Sequence, residues 1–214
     1  MGKVLIIITM GTSNGVRKIS FGENGNLWLE KVLAKLRFNK IIGELKTIKP
    51  LEKIVDFGSG FNGELLIEII KLFPDIKNAL GVDLSVRENT VNPKIKLIAV
   101  DLNHALPISS GSFDVAVSTA VIEHLGDSSF TINEIYRVLK TGGSFLLTTP
   151  PPRAKKILEF LSLKLNWLDK TEIVDHENYF TPVELKNMLS GAGFKNIEIK
   201  TFQFGCNILA SCKK

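Results

Sequence analysis

Residues 55–66 read VDFGSGFNGELL and place three glycines, Gly58, Gly60 and Gly63, at the spacing G-x-G-x-x-G. The apolar residues before the glycines are typical of a buried strand, and those after them of a helix. A strand, a glycine turn and a helix in this order are the fingerprint of dinucleotide binding, and Asp83 follows Gly63 by 20 residues, near the position of its ribose-binding acid. The stretch therefore predicts a turn for a nucleotide-like ligand, which is either a nicotinamide or flavin cofactor or a different nucleotide.

The whole chain has the composition of an ordinary globular domain. Its 214 residues are 44% hydrophobic and 23% charged. A chain of this length and composition can form one domain with a sizeable core. The net charge of +5 is unevenly placed, because residues 1–50 carry nine basic and three acidic side chains, whereas residues 51–214 carry eighteen and nineteen. The body is thus close to neutral, and nucleic acid is not an expected partner.

We separate a basic N-terminal arm and helix, residues 1–50, from a domain at residues 51–214. The run Lys3–Met10 is short and lacks a small-residue cleavage site, so secretion is not expected, and Met10 is an alternative start. Asn26–Ile48 predicts a helix, with two interpretations left open. It covers one face of the domain with its basic side in solvent, or it contacts an anionic membrane or RNA. Its apolar residues at helical spacing are Leu29, Val32, Leu33, Leu36, Ile41 and Leu45.

From Leu51 onward, short apolar strands alternate with helices. KIVDFG, NALGVDL, KIKLIAVDL, FDVAVST and GSFLLTTP are strand-like, whereas GELLIEIIKLF and SFTINEIYRVLK are helical. After a further helix in TPVELKNMLSGAGF, the segments NIEIKTFQF and NILASCKK predict two strands joined by a tight turn at Gly205. The pattern predicts an α/β fold: a three-layer αβα, doubly wound, Rossmann-like sheet of seven strands, mostly parallel, with a C-terminal antiparallel hairpin.

Three acids follow the predicted strands, at the sheet edge where such folds bind ligands: Asp56, Asp83 and Asp101. Asp56 distinguishes between the ligands, because its charge beside the glycine turn would repel a pyrophosphate and attract a cation. Asp83 is placed to accept both hydroxyls of a ribose, and Asp101, with Leu102 beside it, to receive an exocyclic amine. An adenosine with a positively charged tail satisfies all three, and S-adenosylmethionine is such a ligand.

From Leu51 to the end, the chain resembles class I S-adenosylmethionine-dependent methyltransferases, in the broad family that includes ubiquinone- and menaquinone-pathway enzymes. The matching segments are VDFGSG, GVDLS, VDLNHALPISSGSFDVAVSTAVIEHL, EIYRVLKTGGSFLLTTP and YFTPVELKNMLSGAGF, in the family's order. One departure concerns the third glycine, which the family has at Asn62 and this chain has at Gly63. We expect Asn62 to adopt the left-handed backbone that this turn requires.

The resemblance implies a role for each residue at the cofactor site. Gly58, Ser59 and Gly60 form the turn beside the methionine moiety, and Asp56 holds its ammonium group. Asp83 binds the ribose, Leu84 packs on the adenine, and Asp101 and Leu102 read the adenine edge. Ser118, at the end of the fourth strand, supplies a backbone carbonyl to the ammonium. The implied cofactor is S-adenosylmethionine, with S-adenosylhomocysteine as product, and no metal is expected.

Methyl transfer from a sulfonium requires alignment of donor and acceptor and loss of a proton from the acceptor. His124 and His176 are candidate bases, each with a structural alternative. The expected acceptor is a small molecule or a glycan- or lipid-linked molecule, beneath an apolar lid formed by residues 150–168. Cys206 and Cys212, predicted as buried thiols on one strand, favour a reducing compartment. We therefore expect a cytoplasmic protein, with the basic helix as a candidate contact to the inner membrane face. A methyltransferase acting on RNA or protein and a non-catalytic binding module are the alternatives.

Overall fold

The computed structural model describes residues 28–87, 92–159 and 178–214. The strands in these ranges are β1 Lys53–Phe57, β2 Asn78–Asp83, β3 Ile95–Ala99, β4 Phe113–Thr119, β5 Leu139–Thr149, β6 Lys195–Phe202 and β7 Asn207–Lys213. The helices are α1 Trp28–Leu45, α2 Glu64–Leu72, α3 Ser128–Val138, α4 Ala154–Glu159 and α5 Pro182–Gly191. Two short 3₁₀ turns lie at Ile122–His124 and Gln203–Gly205.

The seven strands form one sheet in the order β3-β2-β1-β4-β5-β7-β6. Strands β1 to β5 are parallel, and β7 runs antiparallel to both β5 and β6. The strand order reverses between β1 and β4, which is where doubly wound sheets open a crevice for a ligand. The predicted fold class, including the C-terminal hairpin, is confirmed.

Alternating side chains divide the core into two clusters, one on each face of the sheet. In β1, Ile54 packs with α1 and α2, whereas Val55 and Phe57 pack with α3 and α5. This alternation follows from the two-residue period of a strand. Both faces are covered, so nearly every position of the central strands β1 and β4 is buried.

Helix α1 is buried along only part of its length. Ile41, Ile42 and Leu45 belong to the core on one face of the sheet, so this half covers the domain as one of our two interpretations predicted. Val32 and Leu36, in contrast, are each 44% exposed, so the first half of the helix presents apolar side chains to solvent, and contact with a membrane or RNA stays a prediction there. The division at residue 50 stays a prediction, although the second half of α1 packs into the core of the following domain.

Asp114 secures the edge of the sheet where the parallel strands begin. Its side chain is buried and accepts hydrogen bonds from the backbone N–H groups of Glu52, at 3.1 Å, and Lys53, at 2.8 Å. The Lys140 ammonium also donates to it. Burial alone would raise the pKa of Asp114, but these hydrogen bonds and the charge of Lys140 lower it below its ordinary value.

The prediction of buried thiols on one strand is confirmed for Cys212 and wrong for Cys206. Cys212 lies on β7 and is buried, and burial raises the pKa of its thiol to about 12. Cys206 precedes β7 and is only partly buried, so the two thiols do not share a strand. The described part of the predicted lid, residues 150–159, includes α4, and the lid from residue 160 onward lies outside the described part of the chain.

Candidate active site

The glycine turn is built from left-handed backbone and is wedged between two neighbouring segments. Gly58 and Gly60 have φ of 75° and 71°, a conformation that costs other residues about 1–2 kcal/mol. The N–H groups of Gly58 and Ser59 donate to the Val82 carbonyl at 2.8 and 3.1 Å, which ties the turn to β2. A Cβ on Gly58 would lie 2.1 Å from a methyl group of Val121, so this position requires glycine for space as well as for φ.

The third glycine takes the left-handed conformation itself. Gly63 has φ 65° and caps the start of α2, whereas Asn62 is not among the described residues with positive φ. Our expectation that Asn62 adopts the left-handed backbone is therefore wrong. The turn bends one residue later, at the residue best suited to it, so displacement of the glycine does not prevent the turn from forming.

Asp83 holds the glycine turn in place, a contact separate from the ribose binding predicted for it. Its Oδ2 accepts a hydrogen bond from the Gly60 N–H at 2.9 Å, across from the end of β2 to the turn after β1. Sequence reasoning missed this contact, because it assigned Asp83 only to the ligand. A substitution that removes the carboxylate would disturb the turn together with any ribose contact.

Asp56 is a carboxylate without sufficient protein partners. It is 1% exposed, and its Oδ1 is buried with no hydrogen-bond partner among the described residues. Burial, and secondarily the negative charge of nearby Asp83, raise the pKa of Asp56 to about 8. A buried acid held in this way is stabilised in its charged form by a cation that enters the site.

The remaining predicted cofactor residues lie along the same edge of the sheet in different settings. Leu84, just after β2, is 36% exposed and can offer an apolar surface. Ser118 is buried near the end of β4, between Phe57 of β1 and Leu147 of β5. Ser59 is buried in the glycine turn.

Asp101 and Leu102 are engaged by the protein. Asp101 Oδ1 accepts from the Asn103 backbone N–H at 2.9 Å and from its side-chain amide at 3.0 Å, and Asp101 Oδ2 lies 3.0 Å from His104 Nδ1. The Leu102 side chain is buried in the core, and its carbonyl accepts from the Thr131 hydroxyl at 2.8 Å. Their roles toward adenine stay predictions.

The structure describes one of the two candidate bases, His124. His124 ends the 3₁₀ turn that follows β4 and is half-buried. His176 lies outside the described residues. Their catalytic roles stay predictions, and the position of His124 near the end of β4 is compatible with contact to an acceptor.

Glu123 is a further buried acid that sequence reasoning did not select. It is fully buried, and its Oε2 accepts from the Thr149 hydroxyl at 2.9 Å. Burial raises the pKa of Glu123 to about 7, against the opposing effects of its hydrogen bonds and of the Arg37 charge. The available signal was an acid directly after an apolar strand, in STAVIEHL. Arg37 is consequently part of the α1 interface near this acid and not simply a surface cation.

The residues present are compatible with S-adenosylmethionine. The Asp56 Oδ1, which has no hydrogen-bond partner among the described residues, can accept from a cationic or donor group, and the glycine turn begins two residues further along the chain. Within residues 28–87, 92–159 and 178–214, no helix is long and apolar enough to cross a membrane. The same ranges contain no group of three His, Cys, Asp or Glu side chains arranged to hold a metal ion.

Comparison with known proteins identifies the class. The methyltransferase domain family matches residues 28–199, and the chain belongs to that family. The match, like the sheet order and the glycine turn, places it among the class I S-adenosylmethionine-dependent methyltransferases.

Individual relatives agree with this class. A probable S-adenosylmethionine-dependent methyltransferase of Mycolicibacterium smegmatis is 29% identical over 67% of this chain, which spans 56% of that protein's length. The demethylmenaquinone methyltransferase of Lactobacillus johnsonii is 24% identical over 95% of this chain and 83% of its own. A chain from the complex of the Haloferax volcanii Trm112 methyltransferase activator with a methyltransferase has the same fold, with a TM-score of 0.66 at 18% identity over 86% of this chain and 93% of that one.

Proposed function

We propose that this protein transfers a methyl group from S-adenosylmethionine to a small-molecule or a glycan- or lipid-linked acceptor and releases S-adenosylhomocysteine. The observation that carries the proposal is the buried Asp56 carboxylate beside the glycine turn, whose Oδ1 has no hydrogen-bond partner among the described residues. The relative named demethylmenaquinone methyltransferase, whose name gives a small molecule as acceptor, supports the small-molecule part of this proposal.

The chain's own residues divide the task of binding. Asp56 holds the ammonium group of the cofactor, and the backbone around Ser118 contacts the same end. Asp83 receives the ribose while it fixes Gly60, and Leu84 covers one face of the adenine. Asp101 and Leu102 line the adenine edge. When bound, S-adenosylmethionine supplies an electrophilic methyl group on a sulfonium whose leaving group is a neutral thioether.

The protein's remaining contribution is to orient the acceptor, exclude water and provide for one proton. The acceptor atom loses that proton as its new bond to carbon forms, and His124 is the candidate to receive it. His176 is the second candidate. Glu123 is fully buried and accepts a hydrogen bond from the Thr149 hydroxyl, so we assign it a structural role.

Calorimetric titration with S-adenosylhomocysteine, run beside NADH, tests the cofactor assignment. We expect micromolar binding of S-adenosylhomocysteine and none of NADH. Asp83→Asn retains an acceptor for the Gly60 N–H, so it separates turn formation from ribose binding, whereas Asp83→Ala loses both. If NADH binds and S-adenosylhomocysteine does not, the proposed function is wrong.

A second experiment addresses the acceptor and the base. Methyl-labelled S-adenosylmethionine is incubated with the protein and with pools of quinol precursors, glycans, lipid extracts or RNA, and label in each fraction is counted. We expect label in the small-molecule or lipid fraction, and at least tenfold slower transfer by His124→Ala with unchanged S-adenosylhomocysteine affinity. Label in RNA that is lost on charge reversal at Lys31, Lys35 and Lys40 would instead establish the macromolecular alternative.

A further inference from the structure

The turn between β6 and β7 exposes a phenylalanine on unfavourable backbone. Gln203, Phe204 and Gly205 have φ of 51°, 54° and 80°, so three successive residues are left-handed and two of them are not glycine. Each such non-glycine residue costs about 1–3 kcal/mol. Phe204, between the other two, is fully exposed. Backbone strain that presents a large apolar side chain to solvent is evidence of a functional surface.

Contacts from two helices hold this turn in place. The Gln203 side-chain amide donates to the Leu33 carbonyl of α1 at 3.0 Å. Arg153, next to the start of α4, donates through Nε to the Gly205 carbonyl at 2.6 Å, and its guanidinium lies where a Cβ of Gly205 would be. The turn is therefore a fixed projection that brings the first half of α1 and the start of α4 beside Phe204.

Strand register puts the turn at the active-site edge of the sheet. Thr149, the last residue of β5, pairs with Ile208 at the start of β7, so residues 203–206 lie beyond the same edge as the glycine turn. Strands β1 and β7 are separated by β4 and β5, which amounts to about 14 Å across three strand spacings. Phe204 thus belongs to the rim of the site and not to the cofactor crevice.

The neighbouring segments add apolar and basic side chains. Val32 and Leu36 of α1 are 44% exposed, and Ile157 of α4 is 47% exposed. Residues 28–40 and 153–159 together contain seven basic and two acidic residues. We name this the hairpin-tip surface. It comprises Phe204, Val32, Leu36 and Ile157 with the exposed cations Lys31, Lys35, Lys40, Arg153 and Lys155.

We propose that the hairpin-tip surface docks on an anionic lipid bilayer, with Phe204 in the interfacial layer and the cations against lipid phosphates. Exposed aliphatic side chains among lysines fit this partner, because the interface rewards apolar insertion and cation–phosphate attraction together. Single-stranded RNA is favoured less, since it requires several exposed aromatic side chains that can stack on bases. Among the described residues near these cations, Phe204 is fully exposed, whereas Phe202 and Tyr179 are partly buried and lie under the ammonium groups of Lys40 and Lys155. In this orientation the active-site edge of the sheet faces the bilayer. The proposal does not depend on the identity of the acceptor.

Vesicle co-sedimentation tests the proposal on the full chain. The vesicles are phosphatidylcholine alone or phosphatidylcholine mixed with phosphatidylglycerol, at low and high salt. We expect binding to the anionic vesicles only, weakened by salt. Phe204→Ser should lower the partition coefficient about tenfold, and the double variant K35E/K40E should lower it at least tenfold.

Matched controls separate docking from misfolding and from the proposed function. Leu72→Ser removes another exposed apolar side chain, 58% exposed, at the end of α2 in a groove that Lys35 also lines, so it tests whether loss of any apolar side chain near these cations weakens binding. K96E/K186E reverses two cations on β3 and α5. Both control variants should bind vesicles as the unchanged protein does, and all four should retain its S-adenosylhomocysteine affinity, which reports on the cofactor site independently.

Three results would overturn the proposal. One is equal sedimentation with both vesicle types. The second is a dimer in light scattering that Phe204→Ser converts to monomer without any vesicle binding, which would make the surface an interface between two copies. The third is binding of a polyuridine probe that K35E/K40E abolishes in a protein that does not bind vesicles.

Discussion

Asp56 and Asp114 are buried aspartates at opposite edges of the same sheet, and the protein shifts their pKa values in opposite directions. Asp114, where the parallel strands begin, is satisfied by two backbone N–H groups and by Lys140, and its pKa is lowered. Asp56, where they end, has a buried oxygen without a partner among the described residues, and its pKa is raised to about 8. Both side chains have little solvent-accessible area, but Asp56 is the more deeply buried of the two, so burial and the lack of a partner both raise its pKa. Asp114 receives its counter-charge from Lys140, and we propose that Asp56 receives its counter-charge from the ligand.

The largest effect on folding is expected from Asp114→Ala. Removal of the carboxylate leaves the N–H groups of Glu52 and Lys53 without an acceptor and breaks the contact with Lys140. We expect a loss of about 3 kcal/mol in the free energy of unfolding, measured by urea denaturation. Asp75→Ala, at an exposed aspartate, is the control. A loss below about 1 kcal/mol would show that the satisfied acid is dispensable.

The largest effect on binding is expected from Asp56→Asn. Loss of the charge should lower S-adenosylhomocysteine affinity about 100-fold, or about 3 kcal/mol, because the ligand's ammonium loses its counter-ion. Titration calorimetry measures this directly. Asp75→Asn should leave the affinity unchanged. If Asp56→Asn binds as tightly as the original protein, the assignment of Asp56 to the ammonium group is incorrect.

The raised pKa of Asp56 predicts opposite pH dependences for stability and for binding. Its contribution to folding is fully present below the unfolded pKa, near 4, and is lost as pH rises through about 8. The ligand-free Asp56→Asn variant should therefore gain stability over the original protein, by about 2 kcal/mol more at pH 8 than at pH 6. Ligand affinity should instead rise with pH over this range, by up to about tenfold per unit, since only the ionised carboxylate attracts the cation.

Denaturation and calorimetry at pH 6, 7 and 8 check both slopes on the same samples. A proton should be released on binding at pH 7, which appears as a heat that depends on the buffer's ionisation enthalpy. Equal stability differences at pH 6 and pH 8 would mean that Asp56 is already ionised in the ligand-free protein.

The sequence predicted the fold and the binding edge because both depend on local patterns. Five apolar strands alternating with helices specify a parallel sheet, and acids at strand ends follow its edge. The sequence could not predict which buried carboxylate lacks a hydrogen-bond partner, since that depends on which distant groups reach Asp56 and Asp114. The hydrogen bond from Gly60 to Asp83 joins residues 23 apart and has no local signature.

The two left-handed turns show the same limit. Gly58, Gly60 and Gly63 adopt the left-handed backbone that glycine favours. The sequence therefore predicted the first turn even though its third glycine is displaced. At residues 203–205, glutamine and phenylalanine take that conformation, and only Gly205 gave a signal. This turn is held by a hydrogen bond to the Leu33 carbonyl of α1 and by one from Arg153, just before α4. Both partners are distant in sequence, so the residues of the turn give no signal of these contacts.

The smallest effect is expected from Lys140→Met, which removes the cation from the satisfied acid and keeps the length of the side chain. Lys140 is 42% exposed, so solvent screens its charge, and we expect a loss below about 1 kcal/mol at pH 7. Asp114 has a lowered pKa, so its stabilisation is present above the unfolded pKa, near 4, and is lost as pH falls through the folded value. Without Lys140 that pKa moves upward, and less stability remains to be lost in acid. Urea denaturation at pH 7 and pH 3 should therefore show the variant's deficit shrinking at the lower pH. A deficit that is the same at both values would mean that the backbone N–H groups of Glu52 and Lys53 alone keep Asp114 ionised.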